Sequence, residues 1–76
     1  MSDRDIWYLQ NCLNAGLIVW WMDPKQGWRM VRHIAPLGGE GMCMFFEGGG
    51  YGVLENMTRD EIMVTTGNIA QWMGEG

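Results

Sequence analysis

Apolar residues recur three and four positions apart near the start of the chain, a spacing that predicts an amphipathic helix. Two neighbouring apolar stripes are formed by Ile6, Leu9 and Leu13 and by Ile6, Leu9 and Cys12. Ser2 is a favourable N-cap, and the acidic residues that follow it suit the positive end of a helix dipole. Gly16 can adopt the left-handed conformation that commonly ends a helix. The pattern therefore predicts a first helix over Asp3–Asn14.

Four runs of β-branched, aromatic and methionine residues follow, and the glycine-rich and proline-containing segments between them predict turns. The runs are Leu17–Met22, Trp28–Ile34, Met42–Glu47 and Tyr51–Glu55. The first is apolar on both faces, as in a central strand. Asp, Pro and Gly are suitably placed between the first two runs, which predicts an antiparallel hairpin with a five-residue loop over 23–27.

Strict alternation along the second strand predicts which of its side chains share a face. One face would carry Trp28, Met30, Arg32 and Ile34, and the other would carry Arg29, Val31 and His33. Trp20 and Trp21 are adjacent in the first strand, so we expect them to point to opposite faces.

The C-terminal part of the chain is open to two interpretations. Thr58–Glu61 has the pattern of a capping box, and a helix that starts at Arg59 would align Ile62, Thr66, Ile69 and Met73. This helix is the favoured prediction. The alternative is a strand, Ile62–Thr65, followed by a helical turn through Trp72.

These elements predict a single small α+β domain over residues 1–76. It consists of an N-terminal helix, an antiparallel meander of three to four strands, and a C-terminal helix or helical turn. The alternative fold is a small SH3-like or OB-like barrel.

Composition narrows the class of protein. With 47% hydrophobic and 18% charged residues among 76, the chain is too apolar to be disordered. No apolar run approaches the roughly 20 residues of a membrane span, and the first residues lack the pattern of a signal peptide. Cys12 and Cys43 are too few for a disulfide scaffold, which favours free thiols and a cytoplasmic location; a single Cys12–Cys43 disulfide is the alternative.

The chemistry-bearing residues do not form a recognisable catalytic or metal motif. His33 is the only histidine, and no cysteine or histidine spacing is typical of a metal site. Cys43 and His33 are the one candidate nucleophile pair, but Cys43 lies between two methionines, where cysteine usually acts as a small hydrophobic residue. The glycine clusters lack the lysine and hydroxyl residue of a phosphate loop. We therefore predict a protein that is not an enzyme, with no metal or cofactor.

Charge is distributed unevenly. The net charge is −4, whereas the segment over residues 25–33 has three cations and no acid, so the remainder has a charge of −7. Cations interleaved with an aromatic residue are typical of a hairpin that binds single-stranded nucleic acid, here through Lys25, Trp28, Arg29 and Arg32. The acidic remainder repels polyanions, which makes this hypothesis an alternative only.

Large contact-forming side chains are unusually abundant: five tryptophans, two tyrosines and eight methionines. A core of this size cannot hide nine aromatic rings, so we expect some to be exposed for binding. The sequence thus predicts a protein-interaction module whose partner is a larger protein with a basic or hydrophobic surface. The predicted contact residues are Trp28, Tyr51, Trp21, Trp72, Glu40, Glu47 and Asp60. The alternative is a structural protein that buries the same patch in a homodimer.

In length, acidity and lack of catalytic groups, the chain resembles the small accessory proteins of bacteriophages and mobile elements, including anti-CRISPR-type inhibitors. The resemblance is one of size and style, and no sequence motif carries it. It implies that the protein binds and inhibits a host protein or nucleoprotein complex.

Overall fold

The computed structural model describes residues 1–66, which form one helix and five strands. The helix, α1, spans Asp3–Asn14. The strands are β1 (Ile18–Asp23), β2 (Gly27–Pro36), β3 (Met42–Phe46), β4 (Tyr51–Val53) and β5 (Ile62–Thr65). Three single 3₁₀ turns lie between strands, at Gly38–Glu40, Leu54–Asn56 and Arg59–Glu61.

Helix α1 has the predicted bounds and the predicted caps. The Ser2 hydroxyl accepts a hydrogen bond from the backbone N–H of Asp5 at 3.2 Å. At the other end, Gly16 has a φ of +88°, and the next residue, Leu17, donates its N–H to the carbonyl of Cys12 at 2.9 Å. These bonds satisfy backbone groups that a helix end leaves without partners, which explains why the helix ends at Asn14.

All strand pairs in the sheet are antiparallel, and the strand order is β4-β3-β2-β1-β5. Strands β1 to β4 form the predicted meander, and β5 adds to the free side of β1. Within residues 1–66, β4 and β5 are the two edges and do not pair with each other. The sheet is therefore open, in contrast to the closed barrel of the alternative prediction.

The first hairpin has a shorter loop than the predicted five residues. Asp23 pairs with Gly27, so that only residues 24–26 lie outside the strands. The Asp23 carboxylate accepts a hydrogen bond from the N–H of Lys25 at 2.7 Å, and Gly27 has a φ of +81°. The predicted turn chemistry is present, but the strands continue into it.

A β-bulge in β2 changes the predicted distribution of its side chains. Val31 pairs with Phe46 but His33 pairs with Phe45, so Arg32 is the extra residue. Val31 and Ile34 are consequently both buried in the core, although strict alternation assigned them to opposite faces. The predicted alternation is correct only up to the bulge.

The favoured C-terminal helix is wrong for the residues described. The capping box at Thr58 and Glu61 is present, but it starts only the 3₁₀ turn Arg59–Glu61, and Ile62–Thr65 continues as β5. Three β-branched residues among the four of this segment outweigh the capping signal because β1 offers them a complete row of backbone partners. The predicted helical positions after Thr66, including Ile69 and Met73, and the alternative turn through Trp72 lie outside the described residues.

One layer of the core is α1 and the other is the face of the sheet that α1 covers, which we call the inner face. The buried apolar residues of this core are Leu9, Cys12, Val19, Val31, Ile34, Met44, Phe46, Leu54 and Met57. Strand pairing places the alternate residues on the opposite, outer face. The described residues therefore form two distinct surfaces, one on the helix side and one on the outer face of the sheet.

Candidate functional site: exposed aromatic surfaces

Four of the five tryptophans belong to the described residues, and two of these are exposed. Trp7 is 66% exposed and Trp28 is 38% exposed, whereas Trp20 and Trp21 are half-buried. Trp72, a predicted contact residue, lies outside residues 1–66. The expectation that a core of this size leaves indoles at the surface is therefore met by Trp7 and Trp28.

Trp21, another predicted contact residue, belongs to the core side of the sheet. Its ring stacks on Phe46 with the centroids 5.2 Å apart, and the guanidinium of Arg29 lies 4.7 Å from the centre of the same Phe46 ring. Its neighbour Trp20 points the other way, as predicted, and donates its indole N–H to the Thr65 hydroxyl at 2.9 Å. Trp21 is thus a packing residue between β1 and β3.

The outer face of the sheet carries a row of rings across β2, β3 and β4. His33 stacks on Phe45 with a centroid distance of 4.8 Å, and Phe45 lies 6.0 Å from Tyr51. Tyr51 is 48% exposed. The register of β1 with β2 places Met22 and Trp28 on the same face. We call Met22, Trp28, His33, Phe45 and Tyr51 the sheet surface; it contains the predicted contacts Trp28 and Tyr51.

Helix α1 presents a second aromatic surface that the sequence analysis did not select. Trp7 and Tyr8 are adjacent on its solvent side, and Tyr8 is 52% exposed. The sequence could have indicated that Trp7 and Tyr8 are exposed, because the apolar stripe over Ile6, Leu9 and Leu13 already accounts for the buried side of the helix. Two large aromatic residues outside that stripe are more than the buried side of the helix requires.

An acidic crevice lies on one side of this aromatic pair. It has a volume of about 200 Å³ and is lined by Met1, Asp3, Ile6, Glu40, Gly41, Met42 and Glu55. The three carboxylates are exposed, and none forms an ion pair with a residue of the described part. Asp3 precedes Trp7 by one helical turn, so the two residues lie on the same side of α1. We call Trp7, Tyr8 and the acidic crevice the helix surface.

A cleft of about 300 Å³ separates α1 from β5 on the other side of the pair. It is lined by Met1, Asp5, Tyr8, Leu9, Arg59, Ile62, Met63 and Val64. Arg59 and Asp5 form an ion pair across it at 3.6 Å. A hydrogen bond with Cys12 raises the pKa of Tyr8, and the electrostatic interaction with the same residue and partial burial act in the same direction. The Tyr8 phenol is therefore a hydrogen-bond donor at neutral pH.

The predicted acidic contacts occupy different environments. Glu40 lines the acidic crevice, whereas Glu47 forms an exposed ion pair with Arg32 at 3.5 Å. Asp60 is exposed in the 3₁₀ turn before β5. Only Glu40 therefore joins the helix surface.

The residues of the nucleic-acid alternative do not form one surface. Lys25 is exposed in the first hairpin turn and Trp28 belongs to the outer face. Arg29, directly opposite Trp21, points inward and donates a hydrogen bond to the Gly49 carbonyl at 2.7 Å. Its guanidinium contacts both Asp23, at the end of β1, and Gly49, in the turn between β3 and β4. Arg29 therefore connects two separate parts of the sheet.

The cysteines are free and buried, and they lie on opposite faces of the sheet. Burial raises the pKa of the Cys43 thiol, and the carboxylate of Glu40 adds to the effect. The Cys43 thiol contacts the Gly41 carbonyl at 3.6 Å, while His33 stacks on Phe45. A protonated, enclosed thiol has the opposite properties from an activated nucleophile.

In the described part of the chain, no group of three or more histidine, cysteine or acidic side chains is arranged to hold a metal ion. In the same residues, no helix has the length and apolar character that a membrane span requires.

Comparison with known proteins gives no relative: no protein-family model, no curated protein and no solved structure matches this chain. The function of the protein is therefore inferred from the sheet surface and the helix surface.

Proposed function

We propose that this protein is a non-enzymatic interaction module that binds a larger protein with a basic surface through its helix surface. Trp7 is the central contact, and the acidic crevice receives a lysine or arginine side chain of the partner. In this way the module covers a basic surface and inhibits the partner, which includes nucleoprotein complexes whose basic surface receives nucleic acid. The two free thiols support a cytoplasmic site of action.

The observation that carries this proposal is that Trp7, the most exposed indole within residues 1–66, lies one helical turn after Asp3, a carboxylate of the acidic crevice that forms no ion pair with a described residue. Exposed tryptophan and tyrosine side chains are the residue types that most often dominate a protein interface. The floor of the crevice contains Ile6 and Met42, which can cover the aliphatic part of a basic side chain while Asp3, Glu40 and Glu55 contact its charged end. The crevice thus offers both parts of a lysine or arginine a complementary surface.

The experiment is a quantitative affinity capture from a lysate of the organism that carries the gene, with four baits compared in parallel. They are the wild-type chain, Trp7→Ala, the double variant Glu40→Gln/Glu55→Gln, and Tyr51→Ala as a matched aromatic control on the sheet surface. We expect Trp7→Ala to reduce capture of the partner about tenfold or more, because removal of a central interface tryptophan typically costs about 2 kcal/mol or more. The double variant should reduce capture and make it less sensitive to salt.

Tyr51→Ala should capture the partner as well as the wild-type chain does. A partner that is captured equally by all four baits, or one that loses binding only with Tyr51→Ala, would contradict the assignment to the helix surface. The captured protein should also have a basic surface, and an acidic partner would count against the role of the crevice.

A further inference from the structure

Within residues 1–66, strand β5 ends the sheet with an edge on which none of the usual features that oppose pairing is found. Within the part of the chain that the structure describes, β5 pairs with β1 alone, so its other side presents backbone N–H and C=O groups in a row. Proteins usually protect such edges with lysine, proline, glycine-containing bulges or a covering loop. Ile62–Thr65 contains no charge, no proline and no glycine.

The opposite edge of the sheet is different. Strand β4 has only three residues, one of which is Gly52, and it follows the glycine turn 48–50. A three-residue edge that contains glycine is a poor template for a further strand. The two edges of one sheet therefore differ in their capacity to pair, and β5 is the competent one.

The cleft between α1 and β5 borders the same edge. Its apolar lining includes Leu9, Ile62 and Val64, and the single ion pair of Arg59 with Asp5 leaves its side chains without a net charge. An edge strand beside a helix, with an apolar cleft between them, is the geometry in which proteins accept an added strand. The apolar lining and the paired side-chain charges favour an uncharged strand in this position.

We propose that β5 pairs with β5 of a second copy of this chain, antiparallel and about a twofold axis. The segment Ile62–Thr65 is itself uncharged, three of its four residues are β-branched, and within residues 1–66 it pairs on one side only, so each copy supplies what the edge of the other requires. When the pair is centred on Met63, Ile62 lies opposite Val64 of the second copy on the inner face. The cleft of each copy is then bordered by the added strand.

Electrostatics are compatible with this antiparallel arrangement. The acidic residues nearest β5 are Asp60 and Glu61, which precede it. In a pair centred on Met63, the two Glu61 residues are separated by four residues, which corresponds to about 14 Å of strand. This distance exceeds the roughly 8 Å over which charges interact strongly at physiological salt, so the acidic residues do not oppose the pairing.

Pairing at β5 has a consequence for the proposed function, although self-association does not depend on that function. Cross-strand partners lie on the same face of a sheet, so both α1 helices lie on the same side of a continuous ten-stranded sheet. The dimer therefore displays two helix surfaces, each with its own Trp7, on one side. A partner with repeated basic sites would be bound with avidity.

Analytical ultracentrifugation of the full chain from about 5 µM to about 500 µM tests the proposal, since dimerisation depends on concentration by mass action. We expect the mass to rise from 8.7 kDa toward twice that value. Met63→Lys should raise the dissociation constant about tenfold or more, because lysine on an edge strand opposes pairing. The matched control is Tyr51→Lys on the other edge strand, which should leave the mass unchanged.

Circular dichroism verifies that both lysine variants are folded. A further variant, Met63→Cys, keeps the test valid if Met63→Lys does not fold. The native cysteines are buried, so a short bismaleimide should link two copies through position 63 and give a covalent dimer. Amide hydrogen exchange provides an independent measurement: the β5 amides that point away from β1 should gain protection as the concentration rises.

A monomeric mass over the whole range, without cross-linking at position 63, would overturn the proposal. So would a dimer that Tyr51→Lys dissociates and Met63→Lys does not, because that dimer would use another edge. A monomer in which Met63→Lys abolishes capture of a foreign protein would show that the edge accepts a strand of that protein, which also overturns pairing with a second copy. Loss of capture with Trp7→Ala tests the proposed function separately, because Trp7 is not part of β5.

Discussion

Arg29 shows how one side chain can contribute to packing and electrostatics at once. Its guanidinium donates a hydrogen bond to the Gly49 carbonyl at 2.7 Å, lies 4.0 Å from the Asp23 carboxylate and covers the ring of Phe46. The contacts with Asp23 and Gly49 connect the end of β1, at the first hairpin, with the turn between β3 and β4. From the sequence, Arg29 was a candidate cation for nucleic acid, because a sequence does not show which charges the fold itself uses.

We expect Arg29→Lys to lower the free energy of unfolding by about 1–2 kcal/mol, because lysine cannot make planar contacts with a ring and a carbonyl together. Urea denaturation measures the change. Arg32→Lys is the matched control: the ion pair of Arg32 with Glu47 is 62% and 60% exposed, so its replacement should change stability by less than about 0.5 kcal/mol. Equal effects of the two substitutions would show that the contacts of Arg29 do not stabilise the fold.

Cys43 should make the fold sensitive to alkaline pH. Burial raises the pKa of its thiol, so above the ordinary thiol pKa of about 8.5 the unfolded chain releases a proton that the folded chain retains. The stability that the protonated Cys43 thiol contributes is therefore fully present below the ordinary thiol pKa of about 8.5. It is lost as the pH rises through the raised pKa of the folded state.

The measurement compares urea midpoints of the wild type and Cys43→Ala from neutral pH to about pH 10, a window that contains the ordinary thiol pKa. The wild type should lose more stability than the variant over this range, although the variant is less stable at neutral pH because of the cavity. Parallel pH profiles would be inconsistent with a raised thiol pKa. Tyr8, whose pKa is also raised, is present in both proteins and cancels in the comparison.

At the scale of elements, β4 approaches the core closely at Gly52, where a larger residue would require the side chain of Met57 to move. A β carbon at Gly52 would overlap the terminal methyl of Met57 and would contact the ring of Phe46. Both of these side chains are buried, so neither can move into solvent to make space.

We expect Gly52→Ala to destabilise the protein by about 1–3 kcal/mol, the usual cost of overfilling a packed core. Thermal or urea denaturation detects this loss. Gly39→Ala is the control, because a β carbon at Gly39 meets no atom within 4 Å. If the two alanine variants are equally stable, Met57 can repack and the close approach is not a constraint.

The predictions for individual elements succeeded where the determining interactions are local. Helix α1 and the first hairpin depend on caps and turn residues a few positions apart, and both were predicted. The bulge at Arg32 and the strand β5 depend instead on partners in distant parts of the chain. Ile62–Thr65 becomes a strand because β1 is available to pair with it. The capping box before it is a local pattern and does not depend on whether a distant strand is available.

At the scale of the whole molecule, the arrangement of layers decides which aromatic residues are available for binding. Helix α1 covers one face of the sheet only, so the surplus of rings is divided between the solvent side of the helix and the outer face. Trp28 and Tyr51 were predicted as contacts and are exposed, whereas Trp21, equally apolar in sequence, stacks in the core. The helix surface, with Trp7 and the acidic crevice, is assembled from three segments that are remote in sequence.

The sequence by itself determined that a small α+β meander forms and that its core cannot enclose all the large aromatic side chains. Both conclusions follow from local periodicity and from the ratio of side-chain volume to core volume, which composition and spacing already contain. Only the tertiary structure decided which rings are exposed, which cations are occupied within the fold, and where carboxylates from Asp3 to Glu55 meet around one crevice. These properties depend on strand register and on contacts between distant segments, and no local pattern encodes them.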